Sequence, residues 1–247
     1  MPDNQLLALT DWFPKSMWPA LPCGACAIGH LRPSDLLTID ESERYRDHPE
    51  WEPDWVRGYF TARGTCTNSG CGHPAALAGQ MQLERATDGH YWDGASWEEH
   101  LKLGYVDPPL RILRVPDRCP LPVKDTIASA SRVLWVDPAS AANRLRSAVE
   151  QLLSSLGVRK LDSSRKRLSA HQRIVILGDK RPEAATALEA VKWIGNVGSH
   201  TQELSVRDVV QGISLLEHAL TLLYDTSAQE RARLAKQVIK RRGRPVR

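Results

Sequence analysis

Two close pairs of cysteines are the residues whose types and spacing most clearly indicate chemistry. Cys23 and Cys26 form a Cys-x-x-Cys pair, Cys66 and Cys71 form a Cys-x4-Cys pair, and 39 residues separate the two pairs. Tetrahedral Zn²⁺ is commonly held by four thiolates, two from each of two tight turns. Such a closed site leaves no open coordination position for a substrate. The sequence therefore predicts one structural zinc ion bound by these four side chains.

The other residues near these pairs leave alternatives open. Four unrelated buried thiols are one alternative, whereas a redox Cys-x-x-Cys is disfavoured because no βαβ pattern surrounds it. His73 lies close to Cys71 and is a possible substitute ligand, although neighbouring residues seldom bind one ion together. Cys119 lies in a proline-rich segment and is predicted to be a lone structural thiol.

The first half of the chain is expected to be rich in β-strands and loops, and it must position the cysteines. Six of the eight tryptophans precede residue 100, among frequent prolines and glycines. Strand-like segments at 59–63 and 75–83 flank the second cysteine pair, as two strands flank a turn. Residues 107–122 contain five prolines and are predicted to form an extended connector, with a helix from Thr126 to Leu134 after it.

The second half has helical periodicity. Asp137 before a proline is a typical helix start, and Gly157 is a typical stop. Pro182 is expected to begin another helix, and Ser205 with Asp208 forms a capping box for the last long one. The predicted fold class is thus α+β, with a zinc-binding, β-rich module at 1–118, an all-α bundle at 119–227 and a basic tail at 228–247.

Two segments of the helical half resemble a known family. The sequence KWIGNVGSH at 192–200 and the sequence ANRLRSAVEQLL at 142–153 are similar to motifs of the bacterial domain-of-unknown-function 4145 family. The resemblance covers about 105–225 and extends to the regions around the two cysteine pairs. It implies a HEPN-like helical bundle, since that family is similar to the HEPN group, many of whose members are RNases in toxin–antitoxin and phage-defence systems.

The resemblance implies catalytic roles for His200 and Asn196 if the protein is an RNase. HEPN RNases place an arginine four to six residues before the histidine, which handles the proton of the ribose 2′-hydroxyl while the arginine stabilises phosphate charge. Gly195 occupies that place here. A cation from elsewhere, such as a partner subunit, is one solution. Alternatively, Asn196 and His200 form hydrogen bonds inside the bundle while Gly195 and Gly198 allow close helix packing.

The C-terminal tail is strongly basic. Residues 228–247 contain eight Lys/Arg against one glutamate, and they are expected to form a short basic helix. Such a tail is typical of nucleic-acid binding, with a solvated helix as the alternative. The basic connector at 159–173 is expected to add cations to the same surface. The candidate nucleic-acid-binding residues are Arg231, Arg233, Lys236, Lys240, Arg241, Arg242 and Arg244.

These observations predict a nucleic-acid-associated binding or regulatory protein, with a phage-defence context implied by the resemblance alone. An RNase that uses His200 without a metal and a protein-interaction adaptor are the alternatives. RNA or DNA, a second copy of the chain and a defence-system protein are the expected partners. No apolar run approaches the roughly 20 residues that span a membrane. A cytoplasmic location is expected, where reduced cysteines favour metal binding over disulfides.

Overall fold

The fold is that of a computed structural model, which describes residues 3–26, 28–86, 96–197, 204–225 and 227–242. A curled antiparallel sheet forms the N-terminal half and helices form the C-terminal half, so the predicted α+β class is confirmed. One apolar core runs through both halves.

Six strands build the sheet, in the order β1-β6-β5-β4-β3-β2. The strands are β1 (Phe13–Pro14), β2 (Leu21–Pro22), β3 (His30–Asp40), β4 (Arg57–Cys66), β5 (Pro74–Arg85) and β6 (Trp97–Asp107). Short 3₁₀ turns at Glu43–Tyr45 and Pro53–Trp55 lie in the loop from β3 to β4. The predicted strands around the second cysteine pair are therefore present as β4 and β5.

Strand β4 shows why the sheet has one buried face. Its residues alternate between exposed and buried along the whole strand, as expected when one face of a pleated strand meets the core. Phe60 is completely buried on the inner face. The ring of Trp18 meets the ring of Phe60 edge to face, with centroids 6.0 Å apart, and meets the ring of Phe13 at 5.3 Å. These aromatic contacts hold the chain before β2 against the sheet.

Seven helices complete the described part of the fold. They are α1 (Asp3–Ala8), α2 (Leu121–Val133), α3 (Pro138–Ser155), α4 (Ala170–Gly178), α5 (Pro182–Val197), α6 (Val206–Tyr224) and α7 (Ser227–Lys240). The side chain of Asp137 accepts a hydrogen bond from the backbone N of Ser140 at 2.8 Å, and Gly157 follows α3 with a φ of +75°. Both local signals therefore act as predicted.

The start of α2 differs from the prediction. The helix begins at Leu121, whereas the sequence indicated an extended connector to residue 122 and a helix from Thr126. A proline in the first turn of a helix loses no intrahelical hydrogen bond, because its N–H would have no partner there. Pro122 therefore lies inside α2, and the predicted connector is two residues too long.

Hydrogen bonds and an ion pair connect the two halves. The carboxylate of Glu217 on α6 accepts from the backbone N of Arg114 at 2.9 Å, and the guanidinium of Arg207 lies 2.8 Å from the carboxylate of Asp11. Ser131 on α2 donates to the carbonyl of Leu110. The connector after β6 is thus fixed against α2 and α6.

Helices α3 and α5 cross where α5 has a glycine. A Cβ atom on Gly195 would lie 2.6 Å from the Cβ of Arg146 and 2.9 Å from the carbonyl oxygen of Ala142. Neither atom is the free end of a flexible side chain, so the space exists only for glycine. The predicted close approach of helices at this motif is confirmed for Gly195, while Gly198 lies outside the described residues.

We expect Gly195→Ala to destabilise the protein. The clash should cost about 1–3 kcal/mol, which exceeds the roughly 1 kcal/mol that alanine gains over glycine in a helix. Gly178→Ala is the matched control, because its Cβ would lie 3.6 Å from the Cβ of Ala185, an ordinary contact. Denaturant midpoints of both variants provide the measurement. Equal midpoints would contradict the packing account.

Candidate metal centre and basic surfaces

The four predicted cysteines come together in space. Their sulfur atoms all lie within 4.8 Å of one another, with Cys23 and Cys71 4.0 Å apart and Cys26 and Cys66 3.6 Å apart. Four sulfurs about 2.3 Å from one tetrahedral ion would be about 3.8 Å apart. A disulfide requires about 2.05 Å, so these are free thiols. The alternative of four unrelated buried thiols is wrong.

The first cysteine pair lies on the loop between β2 and β3. The backbone N of Cys23 donates to the carbonyl of Gly29 at 2.9 Å, which closes the loop, and the backbone N of Gly29 approaches the sulfur of Cys26 at 3.4 Å. A Cβ on Gly29 would lie 2.5 Å from the sulfur of Cys66. This residue must therefore be small for the two turns to meet.

The second pair spans the turn from β4 to β5. Cys66 ends β4, and its backbone N donates to the carbonyl of His73 at 3.0 Å. The backbone N of Cys71 donates to the carbonyl of Asn68 at 2.9 Å. Gly72 has a φ of +55°, a conformation that glycine adopts without strain. His73 thus closes the turn with its main chain, and the cluster consists of four sulfurs.

The environment of the cluster separates the acidities of its thiols. Hydrogen bonds from the backbone of Gly29 and then of Ile28 lower the pKa of Cys26 to about 6, because they stabilise the thiolate. Burial raises the pKa of Cys66 to about 12. Four thiols this close cannot all ionise without a cation to balance their charge. The arrangement is that of a site for a thiophilic metal ion.

Cys119 lies apart from this cluster. The side chain is buried, and burial raises the pKa of its thiol. Among the described residues, the group that fits a metal ion contains the other four cysteines. Its predicted role as a lone buried thiol therefore agrees with its position.

One of the two candidate catalytic residues, Asn196, lies at the end of α5. Asn196 is half-buried in the last turn of that helix, while His200 lies outside the described residues. At Gly195, where the arginine was expected, α5 packs against the Cβ of Arg146 on α3. Arg146 also pairs with Glu150 at 3.7 Å, as the i,i+4 spacing predicts. The stem of an arginine from a neighbouring helix thus borders the place where α5 has a glycine.

The basic tail forms a helix with its cations in solvent. Every residue of 231–242 is exposed, including Leu234 at 60%, Val238 at 50% and Ile239 at 75%. Glu230 lies 3.5 Å from Arg118 in an ion pair between exposed side chains. Arg244 lies outside the described residues. The exposed candidate cations are Arg231, Arg233, Lys236, Lys240, Arg241 and Arg242.

Not every cation of the basic connector is exposed, which corrects the prediction that residues 159–173 add their cations to a common surface. Arg173 on α4 is 6% exposed and donates to the carbonyls of Glu150 and Val158 and to the hydroxyl of Ser154, at 3.0–3.3 Å. Burial lowers the pKa of its guanidinium. It therefore links α4 to the end of α3 and does not add a cation to the exposed surface of the C-terminal tail. No local sequence signal distinguishes it from its exposed neighbours.

Two family models match this chain, one over the sheet half and one over the helical half. Residues 128–241 match the model of the family described as domain of unknown function (DUF4145). The resemblance predicted for the helical half is confirmed over 128–241, whereas the regions around the two cysteine pairs, to which it was expected to extend, match a different family model. The DUF4145 segment includes α3 to α7, and residues 11–102 match a second family, domain of unknown function (DUF8608), over the sheet and the cysteine cluster.

The comparisons supply no function. No curated protein and no solved structure matches the chain. HEPN kinship of the DUF4145 segment therefore stays a prediction, as do the boundaries placed at residues 118 and 227. Within the described residues, no helix has both the length and the apolarity to cross a membrane.

Proposed function

We propose that the protein is a zinc-stabilised nucleic-acid-binding component, which acts by binding or regulation. The single observation that carries nucleic-acid binding is the surface of α7, where four cations are exposed along the helix and two more, Arg241 and Arg242, directly follow it. A phage-defence setting and a defence-system partner belong to the proposal only through the HEPN resemblance.

Zinc is the metal that the donor set favours. Four thiolates are soft ligands, and a closed four-sulfur site is typical of structural zinc. The sulfur separations of 3.6 and 4.0 Å bracket the value expected for tetrahedral coordination. Both turns come from the sheet half, so the ion would join the loop before β3 to the turn after β4.

We expect about one zinc ion per chain in the purified protein, and Cys71→Ser should abolish its binding. Cys119→Ser is the matched control, since it removes a buried thiol that lies outside the cluster. Elemental analysis measures the metal.

Chelation should unfold the sheet half before the helices, because metal binding and folding of such a module are coupled. A folded protein that never contains metal would exclude the zinc proposal.

The exposed cations of α7 are suited to phosphate contacts. Each cation near a phosphate releases condensed counterions, so affinity falls with salt. The helix also exposes three apolar side chains, Leu234, Val238 and Ile239, but no tryptophan or phenylalanine that would anchor it in a membrane surface. Nucleic acid is therefore the polyanion that the composition of α7 fits best.

Replacing three cations of α7 should weaken nucleic-acid binding and its salt dependence together. We expect the variant Arg233→Gln, Lys236→Gln, Lys240→Gln to lose up to about 0.9 units of slope per phosphate contact on duplex DNA. The control replaces Arg32, Arg63 and Arg132, which are exposed elsewhere, and removes the same charge. Binding measured at several salt concentrations compares them. If both variants change the slope equally, α7 is not the binding surface.

A metal-independent RNase is the second candidate, favoured by the contact between Arg146 and Gly195. The contact places the aliphatic stem of Arg146, from α3, against the turn of α5 that precedes His200 in the sequence. In this alternative, His200 moves the proton and Arg146 stabilises the phosphate charge. The ion pair of Arg146 with Glu150 weighs against the RNase alternative, because a carboxylate already neutralises the guanidinium.

We expect little or no RNA cleavage by the isolated protein under metal-free conditions. Losing one charge-stabilising contact commonly costs about a hundred- to a thousand-fold in rate, and Arg146 is already paired. Wild type, His200→Ala and Arg146→Gln are assayed together, with Arg159→Gln as the exposed control. Cleavage by wild type and by the control that disappears in the other two would establish the RNase instead.

A further inference from the structure

A cleft of about 890 Å³ lies on the helical half, away from the cysteine cluster. One wall is the exposed side of α3, another is the loop after α3, and the third is the beginning of α4. Its volume falls within the range of about 300–1,000 Å³ that is usual for small-ligand sites. The side chains that line it include Arg146, Lys160 and Arg167.

The loop that forms the second wall is an ordered hairpin. Leu161 and Arg167 face each other in an antiparallel bridge, and the backbone N of Leu168 donates to the carbonyl of Lys160 at 2.9 Å. At the turn, the carboxylate of Asp162 accepts from the backbone N of Ser164 at 2.8 Å and of Lys166 at 2.9 Å. Lys160 and Arg167 therefore start from fixed backbone positions on opposite arms.

The floor of the cleft is held by the buried Arg173. Its two terminal nitrogens tie the start of the hairpin, at Val158, to the last turns of α3. Its Nε is buried without a hydrogen-bond partner. This arrangement fixes the hairpin against α3. It also places a positive charge that is held by hydrogen bonds next to the cations of Lys160 and Arg167.

The cleft has an excess of positive charge. Four cations line it against one carboxylate among the described lining residues, that of Glu150, which already pairs with Arg146 at 3.7 Å. The neutral polar side chains of Ser147 and Gln172 also line the cavity. Guanidinium and ammonium groups converging with such donors from three elements are suited to a phosphate group.

We propose that this cleft binds the phosphate of a nucleotide or of a nucleic-acid strand. The site is distinct from α7, because its cations come from α3, the hairpin and α4. The shared chemistry is a phosphate held by Lys160 and Arg167 above the fixed Arg173. A free nucleotide and an oligonucleotide are the two sources of that phosphate.

Two double variants of the same hairpin test the proposal in the full chain. Lys160→Gln with Arg167→Gln removes two cations that line the cleft, while Arg165→Gln with Lys166→Gln removes two from the hairpin turn outside the lining. Both pairs remove the same charge from neighbouring positions. The hairpin bonds are between main-chain groups or involve Asp162, so both variants should fold. The probes are adenosine monophosphate and a short single-stranded RNA, titrated by calorimetry.

The cleft variant should bind at least one probe about tenfold or more weakly, because each lost charge-assisted contact to phosphate weakens affinity by about that factor. The turn variant should stay within about threefold of wild type. Cleft-dependent binding of the monophosphate identifies a nucleotide site, and cleft-dependent binding of RNA alone identifies a strand site. Equal losses in both variants, or no binding of either probe by wild type, would overturn the proposal. Neither result depends on the α7 variant, so the two proposals fail separately.

Discussion

The mutual approach of four sulfur atoms is the constraint on which the sheet half depends. Thiolates within 4.8 Å of one another repel, and either protonation or a bound cation removes that penalty. The turns that bring them together carry few apolar side chains of their own. Residues 41–56, the loop from β3 to β4, include two short 3₁₀ turns, neither of which contains a buried residue. A bound metal would thus supply folding free energy at the two cysteine-bearing turns, which have few apolar side chains of their own.

The cluster also affects how the sheet meets the helices. Gly24 lies between the first two cysteines, and a Cβ there would lie 2.1 Å from the carbonyl oxygen of Pro109. The loop that holds Cys23 and Cys26 therefore packs directly on the connector that leads to α2. The same connector is fixed from the other side by Ser131 and Glu217. Rearrangement of the metal site is consequently expected to displace the connector and, through it, the beginning of the helical bundle.

Local signals in the sequence predicted the parts of the fold that are determined locally. The cap at Asp137, the stop at Gly157 and the capping box at Ser205 each act within a few residues, and all are present. The cysteine cluster was also predictable, because two tight turns with soft ligands have few other uses. The cleft was not, since the hairpin at 160–168 becomes a wall only when Arg173 fixes it against α3. Such a long-range placement leaves no periodicity in the sequence.

The cations of the helical half differ in what they are free to do, and burial is what separates them. Arg173 has its charge in the interior, where removing it would break three hydrogen bonds. Arg146 is intermediate between buried and freely exposed cations, because its aliphatic stem packs at Gly195 and its guanidinium forms an ion pair with Glu150. The cations of α7 and of the hairpin arms face solvent and pay little desolvation when a phosphate arrives. A ligand is therefore expected to meet the exposed cations first, while the buried arginine holds the surface that presents them.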